Sequence, residues 1–115
     1  MKYSDISVQP LVGHKYKVLK PITYKEVTVP RGYRTNGADI PRIFWGYIPP
    51  YWSDAMPAVI MHDYMCDMAI KKSGYIHADD YFAEILRALN VEERKRELMI
   101  DAVVFYTQKI RKYKR

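Results

Sequence analysis

The order of apolar and polar positions divides the chain into a β-forming part, an irregular part and a helical part. Residues 14–20 alternate, with Tyr16 and Val18 on one side and lysines on the other, which predicts a half-buried strand. Pro21 interrupts it, and residues 22–29, rich in β-branched side chains, predict further strand before Pro30 ends the run. Residues 30–52 are dense in proline, glycine and aromatic side chains and follow neither period. They are too aromatic for a linker. They predict a structured loop anchored by Ile40, Ile43, Phe44 and Trp45, and long ordered loops are often functional. From residue 53 the helical period takes over. Ser53 or Asp54 would cap a first helix that tolerates Pro57 in its first turn, runs to about Lys71 and stops at Ser73-Gly74. A second helix is expected from about His77 to Leu89, ending at Asn90, and a third from Glu92 into a basic tail. The fold class read from this is α+β: a small N-terminal antiparallel β-sheet or hairpin over residues 1–30, a structured Pro/Gly/aromatic loop over 30–52, then three helices over 53–115 in a single domain.

The helical faces single out three ionisable residues. His62 shares a face of small residues with Ala55, Ala58, Val59, Cys66 and Ala69, so another helix can approach closely there. Asp63 stands one position along, while Met56, Ile60 and Tyr64 form a neighbouring apolar face. On the next helix Asp79 lies on an inward stripe with Phe82, Ala83 and Leu86, whereas Asp80, Glu84 and Arg87 fall on the other side. An inward carboxylate costs several kcal/mol unless it is paired, hydrogen-bonded or bound to a cation. The short connection makes the two helices antiparallel neighbours, and His62 is the natural partner of Asp79. A carboxylate on one imidazole nitrogen fixes the tautomer and raises the basicity of the other, which makes a general base. Asp63 is positioned to hold a hard cation such as Ca²⁺ in the same pocket. The alternative is a His–Asp pair that satisfies a polar core and locks two helices together.

Composition narrows the setting. The chain has 115 residues, enough to bury a core without staples, and a single cysteine, Cys66, so no internal disulfide forms. Residues 1–10 contain one lysine and no apolar stretch of the secretory type, and no run approaches a membrane span. These features lead to the expectation of a soluble protein in a host cytoplasm or in a particle. The net charge is +6, and residues 109–115 hold five lysines and arginines and no acid. That tail would suit nucleic acid or an anionic lipid surface, or it is a solvated helix end complementing the helix dipole. Other candidates are weaker: His77 reads as a surface residue or cap neighbour, His14 as exposed and Cys66 as packing rather than a nucleophile. Trp45 and Trp52 read as loop anchors. The cysteine and histidine spacing does not suit zinc, and Gly32 and Gly37 lack the lysine of a phosphate-binding loop.

The segment Val29-Pro30-Arg31-Gly32-Tyr33-Arg34-Thr35-Asn36-Gly37-Ala38-Asp39-Ile40-Pro41-Arg42 resembles the hallmark VPxGFxTDxASIPR of the phage-associated domain-of-unknown-function family 1353. Trp45 follows, then Ala58 to Cys66 in place of AxxHDYxY and Ala78-Asp79 through Phe82 in place of ADxxF. The resemblance spans roughly residues 15–106 and implies a tailed-phage or prophage context. The chain departs from the hallmark at Asn36, where the family has Asp, at Asp39, where it has Ser, and at Cys66, where it has Tyr. Either a carboxylate has moved within the loop or a cation-binding role there is lost. A looser resemblance concerns chemistry. His62-Asp63 followed after 15 residues by Asp79 and then Phe82 is similar to the core of secreted and parvoviral phospholipases A2. It implies His62 as base, Asp63 as calcium ligand, Asp79 as the residue orienting His62, and backbone carbonyls of the Gly37 loop completing the metal shell. The glycine-rich calcium loop and the disulfides of the secreted enzymes are not found here, and Cys66 occupies the usual tyrosine position.

Two functional classes follow. One is a phage accessory protein with a His/Asp hydrolase site of the esterase or phospholipase kind, acting at an anionic lipid surface. The other is a non-enzymatic virion or assembly component, or an inhibitor that binds a host protein. Nucleic acid is a less favoured partner, because no reading motif is visible.

Overall fold

A computed structural model describes residues 6–12, 15–35 and 55–111. The fold is α+β. Strand β1 (Val8–Leu11) pairs antiparallel with β2 (Lys15–Val18), with Val8 opposite Val18 and Leu11 opposite Lys15. As the alternation predicts, Tyr16 and Val18 of β2 are buried while Lys15 is exposed. Strands β3 (Ile22–Tyr24) and β4 (Val27–Val29) form a separate hairpin, with Ile22 opposite Val29. The sequence offers no Asn-Gly at its tip. Instead Lys25 adopts φ 52° in the two-residue turn. Side-chain bonds from Lys25 and Glu26 to the second helix hold a backbone conformation that propensity alone disfavours.

Strand β5 (Arg34–Thr35) corrects the expectation of an irregular loop from residue 30, because it pairs with β2, Tyr16 opposite Thr35. The turn that brings it there is built by Pro30-Arg31-Gly32-Tyr33. Tyr33 N–H donates to Pro30 O at 3.2 Å, and Gly32 supplies the φ of 93° that the third position of a type II turn demands. The rest of the loop, including Asn36, Gly37, Asp39, Trp45 and Trp52, lies outside the described residues, as do His14 and the two proposed caps Ser53 and Asp54.

Helix α1 (Met56–Met68) begins with Pro57 in its first turn, as expected, and is buried on nearly every side from Met56 to Met61. Both faces read from its sequence are therefore inside. It ends three residues earlier than expected, and helix α2 (Lys72–Ala88) begins at Lys72, so Ser73 and Gly74 lie in a helical turn and not in the connection. Close approach explains this glycine: a Cβ on it would stand 3.0 Å from the Ala69 Cβ. Asn90, at φ 60°, closes the end of α2 as its residue type suggests. Helix α3 (Glu93–Phe105) is capped by the Glu92 carboxylate, which accepts from the backbone N–H of Arg94 at 2.9 Å and Lys95 at 3.1 Å. It continues into a π-helical stretch, Tyr106–Arg111, before the last residues of the basic tail, which lie outside the described part. Among the described residues no helix is long and apolar enough to cross a membrane. The core runs from Val18 and Val29 of the strands through α1 to Tyr75, Phe82, Ile85 and Leu86 of α2 and Met99 and Val103 of α3.

Candidate functional site

The central position of α1 explains why its polar residues need partners. His62 is 2% exposed, and the antiparallel α2 brings Asp79 opposite it. The Asp79 Oδ1 lies 2.7 Å from His62 Nε2, with the Asp79 side chain 10% exposed. An ionised carboxylate only accepts, so Nε2 carries the proton and Nδ1 of the neutral ring is the basic nitrogen. The Phe82 ring meets the imidazole edge at a centroid distance of 5.4 Å, fixing its plane. Cys66 Sγ lies 3.6 Å from Nε2 and 3.8 Å from Nδ1. Almost equidistant from both nitrogens, it packs beside the ring.

A fourth member comes from the C-terminal helix. Thr107, fully buried in the π-helical stretch, donates to Asp79 Oδ1 at 3.1 Å and lies 2.9 Å from Val103 O. The widened turn carries Thr107 into the gap between α1 and α2, a use of π-helical geometry often met at functional sites. His62, Asp79 and Thr107 thus tie three helices through one carboxylate.

Asp63 faces the sheet. It is 4% exposed and accepts from Thr35 Oγ1 of β5 at 2.7 Å. One turn further along, Asp67 accepts from the Tyr33 hydroxyl at 2.5 Å, and the Tyr33 ring stands edge-on to Tyr64 at 5.2 Å. Burial, then the Asp63 charge, then the bond to Asp67 drive the Tyr33 phenol well above its ordinary range. Tyr33 is therefore a lasting donor between two carboxylates spaced i, i+4.

The structure thus brings His62, Asp79 and Cys66 together, and sets Asp63 on the adjoining face of the same helix turn. Gly37, Asn36 and Asp39 lie outside the described residues. Among the described residues no group of three or more His, Cys, Asp or Glu side chains could hold a metal ion. Asp63 and Thr35 supply hard oxygen donors that suit Ca²⁺ chemically but fall short of the six to eight that Ca²⁺ takes. Thr35, Tyr33, Asp67 and Thr107 were not singled out from sequence. Thr107 had a visible signal: it continues the inward stripe of Met99 and Val103 at helical spacing, the same logic that marks Asp79.

His77, read as a surface residue, is indeed partly exposed but has a partner: its Nε2 lies 3.2 Å from Glu26 Oε2 at the β3–β4 tip, where the Tyr81 hydroxyl donates to Glu26 Oε1 at 2.6 Å. Lys25 and the Tyr24 hydroxyl each reach Glu84 Oε1 at 2.7 Å, so the hairpin tip is clasped to α2 at two carboxylates.

Comparison with known proteins adds kinship without chemistry. An uncharacterised protein, y4jT, of Sinorhizobium fredii (strain NBRC 101917 / NGR234) is 34% identical over 79 residues, covering 68% of this chain. The chain spans only 23% of that relative's length. No solved structure matches. The family model described as a protein of unknown function, DUF1353, matches residues 12–103, which takes in β2 through α3 with the residues of both His62 and Asp63 clusters up to Val103. The chain belongs to the DUF1353 family.

Proposed function

We propose that this protein is an accessory protein of a tailed phage or prophage that carries a hydrolytic site of the phospholipase A2 kind, acting on an ester at a lipid surface. The observation that carries the reading is the His62–Asp79 geometry, a carboxylate 2.7 Å from Nε2 of a buried imidazole. In this reading His62 Nδ1 takes a proton from water as its oxygen bonds the ester carbonyl carbon. Asp79 stabilises the imidazolium through the Nε2 proton, and the ring returns a proton to the departing alcohol as the acyl C–O bond breaks. Thr107 holds Asp79 in place for this. Asp63, with Thr35 on one oxygen, is the carboxylate that would hold Ca²⁺. When bound, the ion would polarise the ester carbonyl. A purely structural role explains one buried pair, but two carboxylates and an imidazole in one stretch of the core are costly where apolar residues would serve, a pattern typical of functional sites. The phage setting rests on the motif resemblance, and the basic residues 109–115 suit an anionic surface.

One observation favours a second reading. His62 is only 2% exposed, as a locked polar core requires, and the chain would then be a non-enzymatic assembly component or a binder of a host protein. The test is fatty-acid release from phosphatidylglycerol vesicles with millimolar Ca²⁺, comparing the protein with His62→Gln. Release that the folded variant loses supports the hydrolase. Release that the variant keeps, or none by either protein, returns the pair to a structural role.

A further inference from the structure

Of the two histidines among the described residues, His77 is the accessible one and His62 is sealed. His77 is 45% exposed at its side chain and lines a groove of about 460 Å³ between the β3–β4 hairpin and the corner of α1 and α2. Small-molecule sites have volumes of this order. The groove's walls are apolar: Val27 of the hairpin, and Tyr64, Met65 and Met68 of α1. Met68 is 57% exposed, a large thioether facing water without cover, and methionine walls adapt to varied apolar shapes. The corner is kept narrow by Gly74, whose place no larger residue fills without pressing on Ala69.

The polar end of the groove has a defined character. Glu26 lines it beside His77. The Tyr81 hydroxyl, Glu26's own backbone N–H and His77 together hold the Glu26 carboxyl down at about 2, so it is anionic at any working pH. As an acceptor only, it fixes His77 Nε2 as the donor, and Nδ1 of the neutral ring is then a second acceptor with no partner among the described residues. Lys25, the cation of the hairpin tip, is engaged by Glu84 Oε1 at 2.7 Å. The groove therefore offers a carboxylate and an acceptor nitrogen at the end of an apolar cleft, and among the described residues that line it none is a lysine or arginine. A carboxylate or phosphate head would meet repulsion there, and a purely apolar ligand would bury acceptors without donors.

We propose that this groove is a binding site for a small alkyl- or aralkylammonium ligand, its chain lying against Val27, Met65 and Met68 and its ammonium donating to the Glu26–His77 pair. The site is separate from the His62 cluster and stands whether or not that cluster is catalytic. The experiment is an NMR titration of the full chain, at pH 8, following the methionine methyls and the His77 ring with n-hexylammonium, n-hexanol and n-hexanoate. The expected result is saturable shifts at Met65, Met68 and His77, with hexylammonium bound at least about tenfold more tightly than either control. Glu26→Gln should bring hexylammonium down to the hexanol level. Met68→Lys, which adds a cation on the exposed wall and leaves the hairpin bonds in place, should also weaken it about tenfold or more. Equal binding of hexanol or hexanoate overturns the proposal, as does unchanged affinity in both variants or no saturation by hexylammonium at about 10 mM.

Discussion

Replacing Asp79 with alanine removes a carboxylate that joins α1, α2 and the C-terminal π-helical stretch. The magnitude follows from which partners have a substitute. His62 Nε2 loses an acceptor at 2.7 Å in a place where the ring is 2% exposed, so water cannot take over without opening the helix pair. A buried donor deprived of its acceptor costs about 1–3 kcal/mol. Thr107 loses a bond of 3.1 Å but retains Val103 O at 2.9 Å, so it adds little. The expected loss is therefore about 1–3 kcal/mol, carried by the histidine. Asp79→Asn keeps an acceptor of the same shape without the charge, and should lose about half as much. Urea unfolding measures both: the midpoint should fall with an unchanged slope, in the order wild type, Asn, Ala. An alanine variant within about 0.5 kcal/mol of wild type, the range of ordinary surface substitutions, would refute the reasoning.

Further outcomes follow from the same contacts. Thr35→Val takes the hydroxyl from the buried Asp63 Oδ2 and should cost about 1–3 kcal/mol by urea unfolding, whereas Thr23→Val, in an exposed threonine pair, should cost less than about 0.5. Gly74→Ala gains helix propensity of about 1 kcal/mol yet presses a Cβ to 3.0 Å from Ala69; a net loss near 1 kcal/mol is expected, and a stabilised variant would show that the corner yields freely. The Glu26 carboxyl is lowered in the folded chain, so its bonds favour folding above the ordinary carboxyl range and lose that contribution as the pH falls towards about 2; carboxyl-carbon NMR should titrate there, and a midpoint near 4.5 would contradict the clasp. Tyr81 runs the other way. Its bond to Glu26 raises it to about 12, so its contribution is full below pH 10 and fades as the pH rises through about 12, which phenolate absorbance of a variant retaining Tyr81 among fewer tyrosines would follow.

Much of this architecture was legible because period carries it. The alternation around Tyr16 and Val18, the helix start at Glu92, the end at Asn90 and the inward place of Asp79 each follow from one local rule. What escaped depends on contacts across the chain. The Lys25-Glu26 turn has no turn signature and is held by α2 side chains. Ser73-Gly74 looks like a stop signal, but the glycine serves the approach to Ala69. Strand β5 is two residues long, too short for any period, and exists because Gly32 turns Tyr33 and Thr35 back onto β2. The site was partly legible for the same reason: an inward carboxylate demands a partner, so Asp79 leads to His62. Asp63, one residue along the helix and so about 100° from His62, meets Thr35 of β5, a contact that depends on the Gly32 turn and that no helical period announces.

A calcium-assisted hydrolase requires that Asp63 hold a cation beside His62. The measurement is a Ca²⁺ titration of the purified protein, following the His62 ring and Asp63 carboxyl signals by NMR with Asp63→Asn as control. Saturable shifts at both residues that vanish in the control are the predicted result. No site-specific shift at millimolar Ca²⁺, or the same shifts in Asp63→Asn, would contradict the calcium-assisted site and leave His62–Asp79 as a lock between helices.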